Sequence, residues 1–157
     1  MTRPLFTSVN GAPRVINIKD LKTEGIKPSV FVSVMRPSRL GNPFKVGLYL
    51  SLAHLKSVLA RVQAFPEQET DDAWVGGVLP GCYRVMTRNR ELGAPLTRTE
   101  AISCYAEWIR VAVTNDPSIR EEIKRLRGKV LGCCCKPKAC HADEIVKVFK
   151  EIERGLL

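Results

Sequence analysis

The sequence predicts an α/β protein of one domain, in which a small, mainly parallel sheet is flanked by helices in a Rossmann-like layered arrangement. Short β-branched and apolar runs alternate along the chain with stretches whose apolar residues recur every three or four positions. The length of 157 residues is enough for one hydrophobic core and too short for two. The composition, 45% hydrophobic and 26% charged, is that of an ordinary globular protein and excludes wholesale disorder.

Three segments have the pattern of strands. Residues 15–18 alternate weakly, residues 29–35 (SVFVSVM) are apolar and β-branched, and residues 129–133 (KVLGC) form a short buried run. Helical segments separate these runs, so we expect parallel strands whose carboxyl ends share one edge of the sheet. Ligands of such sheets bind at that edge, in the loops that follow the strands.

Other segments have the pattern of helices. An apolar stripe at helical spacing predicts a helix from Leu48 that ends near Phe65-Pro66. A capping box at Thr97 and Glu100 and an Asp116-Pro117 start signal predict helices from residue 97 and from residue 117. A further apolar stripe predicts a last helix that starts near His141. Residues 66–95 show no clear period and are predicted to form a long loop with one short strand at 83–86.

The charge balance favours an acidic partner. The chain has 25 Lys and Arg against 16 Asp and Glu, a net charge of +9, which attracts phosphorylated ligands or nucleic acid without choosing between them. Six of the basic residues lie between Lys124 and Lys138.

No apolar run approaches the roughly 18 residues of a membrane span, so we expect a cytoplasmic protein with no membrane partner. In that compartment the six cysteines are expected to be reduced thiols. The oligomeric state is left open.

The loop after the second predicted strand, residues 36–44 (RPSRLGNPF), is a candidate binding loop. Arg36 and Arg39 are suited to bidentate binding of a phosphate or carboxylate, and Ser38 adds a hydroxyl. Gly41 and Asn42 tolerate a positive φ and would let the backbone approach a ligand. A turn-rich connector with solvated arginines is the alternative interpretation.

The segment after the third predicted strand, residues 133–143 (CCCKPKACHAD), allows more than one chemistry. Cys133, Cys135, Cys140 and His141 are an acceptable set of zinc ligands, although their spacing is not the usual paired one. Alternatively, Cys135 or Cys140 is a reactive thiolate, with His141 as acid or base and Asp143 orienting it.

A third chemistry for this segment is an anion pocket. Lys136, Lys138, the free amides at the start of the last helix and His141 would then hold a phosphate, and the cysteines would only line the pocket. The structural alternative is that these cysteines are small core residues, as we expect for Cys82 and Cys104.

The two loops together resemble a family of small, mostly phage and bacterial proteins known as domain of unknown function 4326. The resemblance lies in residues 36–44, in the helix start at 98–108, and in residues 126–143 (LRGKVLGCCCKPKACHAD). Cys134 stands where the family pattern has an aromatic residue, and Ala142 where it has a glycine. The resemblance implies an α/β fold and one site joining the two loops, adds Arg98 to the predicted ligand-binding residues, and makes residues 45–95 look like an insertion. It implies no established reaction.

Two classes of function follow from these observations. The favoured one is binding of a nucleotide-like or otherwise phosphorylated small ligand between the two loops; whether hydrolysis or group transfer follows is left open, and no cofactor is predicted. The alternative is a basic nucleic-acid-binding accessory protein of a phage or virus, with or without a structural zinc. A weaker third hypothesis is an interaction module that uses the acidic residues 67–72.

Overall fold

The sheet of the protein has three short parallel strands. The computed structural model describes residues 11–62 and 72–157. The strands are β1 (Arg14–Asn17), β2 (Phe31–Ser33) and β3 (Val130–Cys133), in the order β1-β3-β2. Arg14 and Phe31 both lie opposite Val130, so the chain leaves all three strands at the same edge. The expected small parallel α/β fold is confirmed.

The two outer strands are slightly displaced from their predicted bounds. The prediction of a strand over 29–35 was too long at its start, because Pro28–Val30 forms a 3-10 turn in which the Val30 N–H donates to Lys27. At the end of β2 the ladder continues, since the Val34 N–H donates to the Gly132 carbonyl at 3.2 Å. β1 ends at Asn17, whose side chain accepts the Lys19 N–H and begins a 3-10 turn.

Six helices are described, and four begin at or near predicted positions. Their bounds are α1 (Leu52–Ala60), α2 (Asp72–Val78), α3 (Pro80–Leu92), α4 (Arg98–Asn115), α5 (Pro117–Lys124) and α6 (His141–Glu153). The capping box of α4 is formed as predicted, with reciprocal bonds between Thr97 and Glu100. α1 begins later than the prediction of residue 48, because Ser51 caps it and Leu48 instead accepts the Leu96 N–H.

The prediction of a long loop over residues 66–95 was wrong for the described part of that segment. Residues 72–92 form α2 and α3, and the strand predicted at 83–86 lies inside α3. α3 has no side-chain cap of its own; instead the Glu107 carboxylate of α4 accepts the N–H groups of Gly81 and Cys82 at 2.8 and 2.9 Å. This cap comes from another helix, so local patterning did not reveal it. Most of the acidic run at 67–72 lies outside the described residues.

α4 and α6 form the centre of the helical layer. α6 packs on β1 and β3, and α4 packs on α6. The core between them contains Tyr105, Trp108 and Phe149, each at most 1% exposed. The Trp108 Nε1–H donates to the Val58 carbonyl at 2.8 Å, which fixes α1 against α4. Among the described residues, no helix combines the length and the apolar character that crossing a membrane would require.

Candidate functional site

A pocket of about 100 Å³ opens at the carboxyl end of the sheet, where the two predicted loops meet. Its walls come from the end of β2 and the following loop, from the first turns of α4, and from the segment that joins β3 to α6. The lining residues are Met35, Arg36, Asn42, Arg98, Ile102, Cys133, Cys134, Cys135, Ala139, Cys140 and His141. The structure thus brings Arg36, Asn42 and Arg98 together with Cys135, Cys140 and His141.

The loop at 36–44 is held against α4 by its own polar groups. The Asn42 side chain accepts the Phe44 N–H at 2.8 Å and donates to the Ala101 carbonyl at 3.3 Å. The Tyr105 hydroxyl donates to the Leu40 carbonyl at 2.7 Å. Asn42 is 8% exposed and its side-chain groups are used inside the fold. Its role here is to shape the loop, which places the loop beside the start of α4.

Gly41 also serves the loop's own packing. A Cβ at this position would lie 2.9 Å from the Arg36 nitrogen and 3.0 Å from the Ser38 carbonyl oxygen. Gly41 does not have a positive φ, so the loop does not use the conformational freedom that a glycine tolerates there. The Ser38 hydroxyl accepts the Leu40 N–H at 3.2 Å within the same turn. These contacts show that Gly41 and Ser38 stabilise the tight turn. Neither residue is part of the pocket lining.

Two arginines line the pocket: Arg36 from the loop at 36–44 and Arg98 from the start of α4. The second arginine of that loop, Arg39, does not line it. Arg36 donates from Nη1 to the Asn42 carbonyl at 2.7 Å, which fixes its direction. Arg98, the first residue of α4, is exposed and forms no hydrogen bond or ion pair with any described residue. Arg39 points away: it bonds Ser118 at 2.7 Å and lies 3.5 Å from Asp116 at the start of α5. No carboxylate is among the described residues that line the pocket.

The two lysines of the second loop lie outside this pocket. Lys136 Nζ is 2.7 Å from Asp143 Oδ1, and this contact raises the pKa of Lys136. Lys136 lines a separate, more open groove of about 550 Å³ along β1. Lys138 is exposed, and its backbone N–H closes a turn by donating to the Cys135 carbonyl. Neither lysine is positioned to hold an anion between Arg36 and Arg98.

The four thiols at the pocket differ in exposure. Cys133 and Cys140 are buried, Cys135 is partly buried and Cys134 is exposed. Cys140 caps α6, and its Sγ accepts the Ala142 N–H at 3.4 Å. Burial raises the pKa of Cys140, and the neighbouring Cys133 and Cys135 raise it further. The raised pKa favours the neutral thiol at Cys140, which lines the pocket.

His141 joins the two loops through its imidazole. Its Nε2 lies 2.7 Å from the Val34 carbonyl, and its Nδ1 lies 3.8 Å from Cys140 Sγ. A carbonyl only accepts, so Nε2 carries the proton and Nδ1 of the neutral ring has a free lone pair. Burial lowers the pKa of His141, and Arg36 lowers it further. The sequence suggested Asp143 as the orienting group; the hydrogen bond that orients the ring comes from Val34.

The zinc alternative finds no support in the geometry. Within residues 11–62 and 72–157, no group of three or more His, Cys, Asp or Glu side chains is arranged to hold a metal ion. The Nε2 atom of His141 is already bonded to the Val34 carbonyl.

Sequence reasoning missed three apolar residues of the pocket, Met35, Ile102 and Ala139, together with Cys134 and one backbone group. Met35 ends the predicted strand directly before Arg36, and Ile102 lies one helical turn after Arg98, so both positions had a signal in the spacing. The Val34 carbonyl had none, because a backbone acceptor is the same at every position in the sequence.

The fold and the site together define a class of protein. It is a small parallel α/β protein whose pocket, at the carboxyl edge of the sheet, is lined by arginines and thiols. Within that class the chain belongs to the family described as Domain of unknown function (DUF4326), whose model matches residues 16–151. The matched region contains every residue of the pocket. No curated protein and no solved structure was found to match the chain.

Proposed function

We propose that the protein binds a small phosphorylated ligand, of which a nucleotide is the preferred class, with the anionic group held between Arg36 and Arg98. The observation that carries this proposal is that two arginines line one pocket, and that no described residue of its lining carries a carboxylate. Arginine presents planar, paired donors that match phosphate and carboxylate oxygens. Arg98 forms no contact with a described residue that a ligand would have to displace.

The start of α6 supports the same kind of ligand. The pocket reaches Cys140 and His141, the cap and first residue of this 13-residue helix. The partial positive charge of a helix N-terminus favours an anion, while the N–H groups of Ala142 and Asp143 already donate to Cys140. Both acidic residues of the first turn are paired, Asp143 with Lys136 and Glu144 with Arg110 and Lys147, which reduces their repulsion of an anion at the pocket.

The size of the pocket limits how much of the ligand it encloses. Sites that bury most of a drug-sized molecule have volumes of roughly 300–1,000 Å³. A pocket of about 100 Å³ admits the terminal anionic group and little more. We therefore infer that the rest of a nucleotide would lie outside it, on the surface beside Arg98.

The nucleic-acid alternative gains no specific support from the basic run at residues 124–138. Four of its six cations are engaged: Lys124 with Glu121, Arg127 with Glu153, Lys129 with the Ser29 carbonyl and Lys136 with Asp143. Three of these four are paired with carboxylates, and a charge paired in this way attracts phosphates weakly. A small ligand is accordingly the function that we propose.

Thermal-shift and calorimetric titrations with inorganic phosphate, pyrophosphate and nucleoside mono- and triphosphates, at constant ionic strength, test the proposal. A phosphorylated ligand is expected to raise the melting temperature, since a ligand that binds only the folded state stabilises it. Hydrogen bonds to charged groups contribute about 1.5–3 kcal/mol, so Arg98→Ala is expected to weaken binding at least about tenfold.

Arg125→Ala is the matched control, since Arg125 is also exposed and forms no side-chain contact with a described residue, but lies at the end of α5 away from the pocket. It removes the same charge and is expected to leave the affinity unchanged. Absence of binding by all of these anions, or equal losses in the two variants, would overturn the proposal.

A further inference from the structure

Cys140 and His141 have the geometry of a nucleophile and its general base. The Sγ–Nδ1 distance of 3.8 Å is within reach of a thiol–imidazole hydrogen bond, and catalytic contacts of this kind often shorten when substrate binds. The base is itself oriented by a third group, because Nε2 is fixed at 2.7 Å from the Val34 carbonyl. Nucleophile, base and orienting group are the three parts that covalent catalysis by a thiol requires.

We propose that Cys140 accepts an acyl group from an ester or thioester, with Nδ1 of His141 as the base and the Val34 carbonyl as the positioning group. The site is the pocket of the proposed function, so the inference rests on that pocket; the arginines would hold an anionic group of the natural substrate. Both residues line the pocket, which brings a bound molecule to Sγ.

The protonation states suit this chemistry. The raised pKa of the buried Cys140 thiol and the lowered pKa of the His141 imidazole both favour the neutral forms. Arg36 from the loop after β2 disfavours the imidazolium ion, and Asp143 on α6 favours it. The Tyr105 ring of α4 packs against the imidazole, with 5.0 Å between the two ring centroids. A neutral pair needs the base to take the thiol proton as the new bond forms, as in general-base catalysis.

The step balances without an oxidant or a metal. Sγ forms a bond to the carbonyl carbon while its proton moves to Nδ1 of His141. The carbon–oxygen or carbon–sulfur bond to the leaving group breaks, and the leaving group takes that proton. Water then attacks the thioester on Cys140, gives a proton to Nδ1, and the released Sγ takes it back. Nε2 keeps its proton and its bond to Val34 throughout.

The chain offers a direct readout of acylation at Cys140. Trypsin cleaves after Lys138 and Lys147, so peptide 139–147 (ACHADEIVK) contains Cys140 as its single cysteine. The other three thiols of the pocket lie together in the preceding peptide, which ends at Lys138 because the Lys136–Pro137 bond resists trypsin. Incubation with p-nitrophenyl acetate, followed by mass spectrometry, shows which peptide carries the acetyl group.

Acetyl is expected on peptide 139–147, although Cys134 is the more exposed thiol. His141→Gln keeps an N–H donor for Val34 but removes the base, and is expected to slow acylation about 100-fold or more. His54→Gln is the matched control, because His54 also bonds a carbonyl, that of Pro43 at 3.0 Å, but lies outside the pocket. It is expected to leave the rate unchanged.

The pH profile separates a base from a merely structural histidine. Because the pKa of His141 is lowered, acylation that depends on neutral His141 is expected to persist at the ordinary histidine pKa of about 6.5 and to fall only at lower pH. A simple thiol instead loses reactivity below its pKa of about 8.5. Acetyl only on the peptide with Cys133–Cys135, or equal rates in His141→Gln and the native chain, would overturn the inference.

Because p-nitrophenyl acetate is neutral, its reaction does not need Arg36 or Arg98. Acylation of Cys140 without phosphate binding would contradict only the proposed ligand class. Phosphate binding without acylation would contradict only the Cys140–His141 chemistry.

Discussion

The imidazole Nε2 of His141 lies 2.7 Å from the carbonyl oxygen of Val34, 107 residues earlier in the chain. This hydrogen bond ties the first turn of α6 to the end of β2. It therefore joins the two segments whose residues form the pocket, and it fixes which ring nitrogen faces Cys140.

Replacing His141 by Ala is expected to destabilise the fold by about 1–3 kcal/mol, because the buried Val34 carbonyl loses its side-chain donor. The free energy of unfolding is measured by urea titration. Cys134→Ser, at an exposed position of the same segment, is the control and is expected to change it by less than about 0.5 kcal/mol. Equal stability of His141→Ala and the native chain would show that the bond contributes nothing.

The carboxylate that caps α3 gives a second prediction. Glu107→Ala leaves the Gly81 and Cys82 N–H groups without their acceptor and is expected to cost about 1–2 kcal/mol. The control is Glu121→Ala, which removes only a surface pair with Lys124 and is expected to cost at most about 0.5 kcal/mol. Urea denaturation followed by circular dichroism compares them, and similar small losses would contradict a capping role for Glu107.

Two glycines should respond in opposite directions to the same substitution. Gly41→Ala places a Cβ about 3 Å from the backbone of Arg36 and Ser38, so the loop must shift; we expect a loss of about 1–3 kcal/mol and weaker phosphate binding. Gly77→Ala, in α2 with no atom within 4 Å of the added Cβ, is expected to gain about 0.5–1 kcal/mol. A neutral effect at Gly41 would mean that the loop repacks freely.

The two histidines give the stability a defined pH dependence. Burial lowers the pKa of both His54 and His141 in the folded state. Below their ordinary pKa of about 6.5, the unfolded chain therefore binds more protons than the folded one, and the free energy of unfolding falls as the pH falls.

We expect this loss between about pH 7 and about pH 5. Urea titrations across that range measure it, and the variant with both His54→Gln and His141→Gln is expected to lose less. A loss of the same size in the double variant would assign the effect to other groups.

Local signals in the sequence determined much of the fold. The capping box at Thr97, the Asp116-Pro117 start and the buried run before Cys133 each depend on neighbours within a few residues, so their patterns predicted α4, α5 and β3 correctly. The parallel arrangement then followed from the alternation of strands and helices. It also placed the segments at 36–44 and 133–143 at one edge, where the pocket lies.

Tertiary contacts decided the rest, because their partners are distant in the chain and leave no periodic signal. α3 is capped by Glu107 from another helix, whereas its own sequence favoured a loop. Arg39 bonds Ser118, 79 residues away, and so leaves the pocket to Arg36 and Arg98. The direction of a long side chain is set by the charges that surround it after folding. The Val34 carbonyl orients the His141 imidazole only because folding brings the end of β2 against the start of α6.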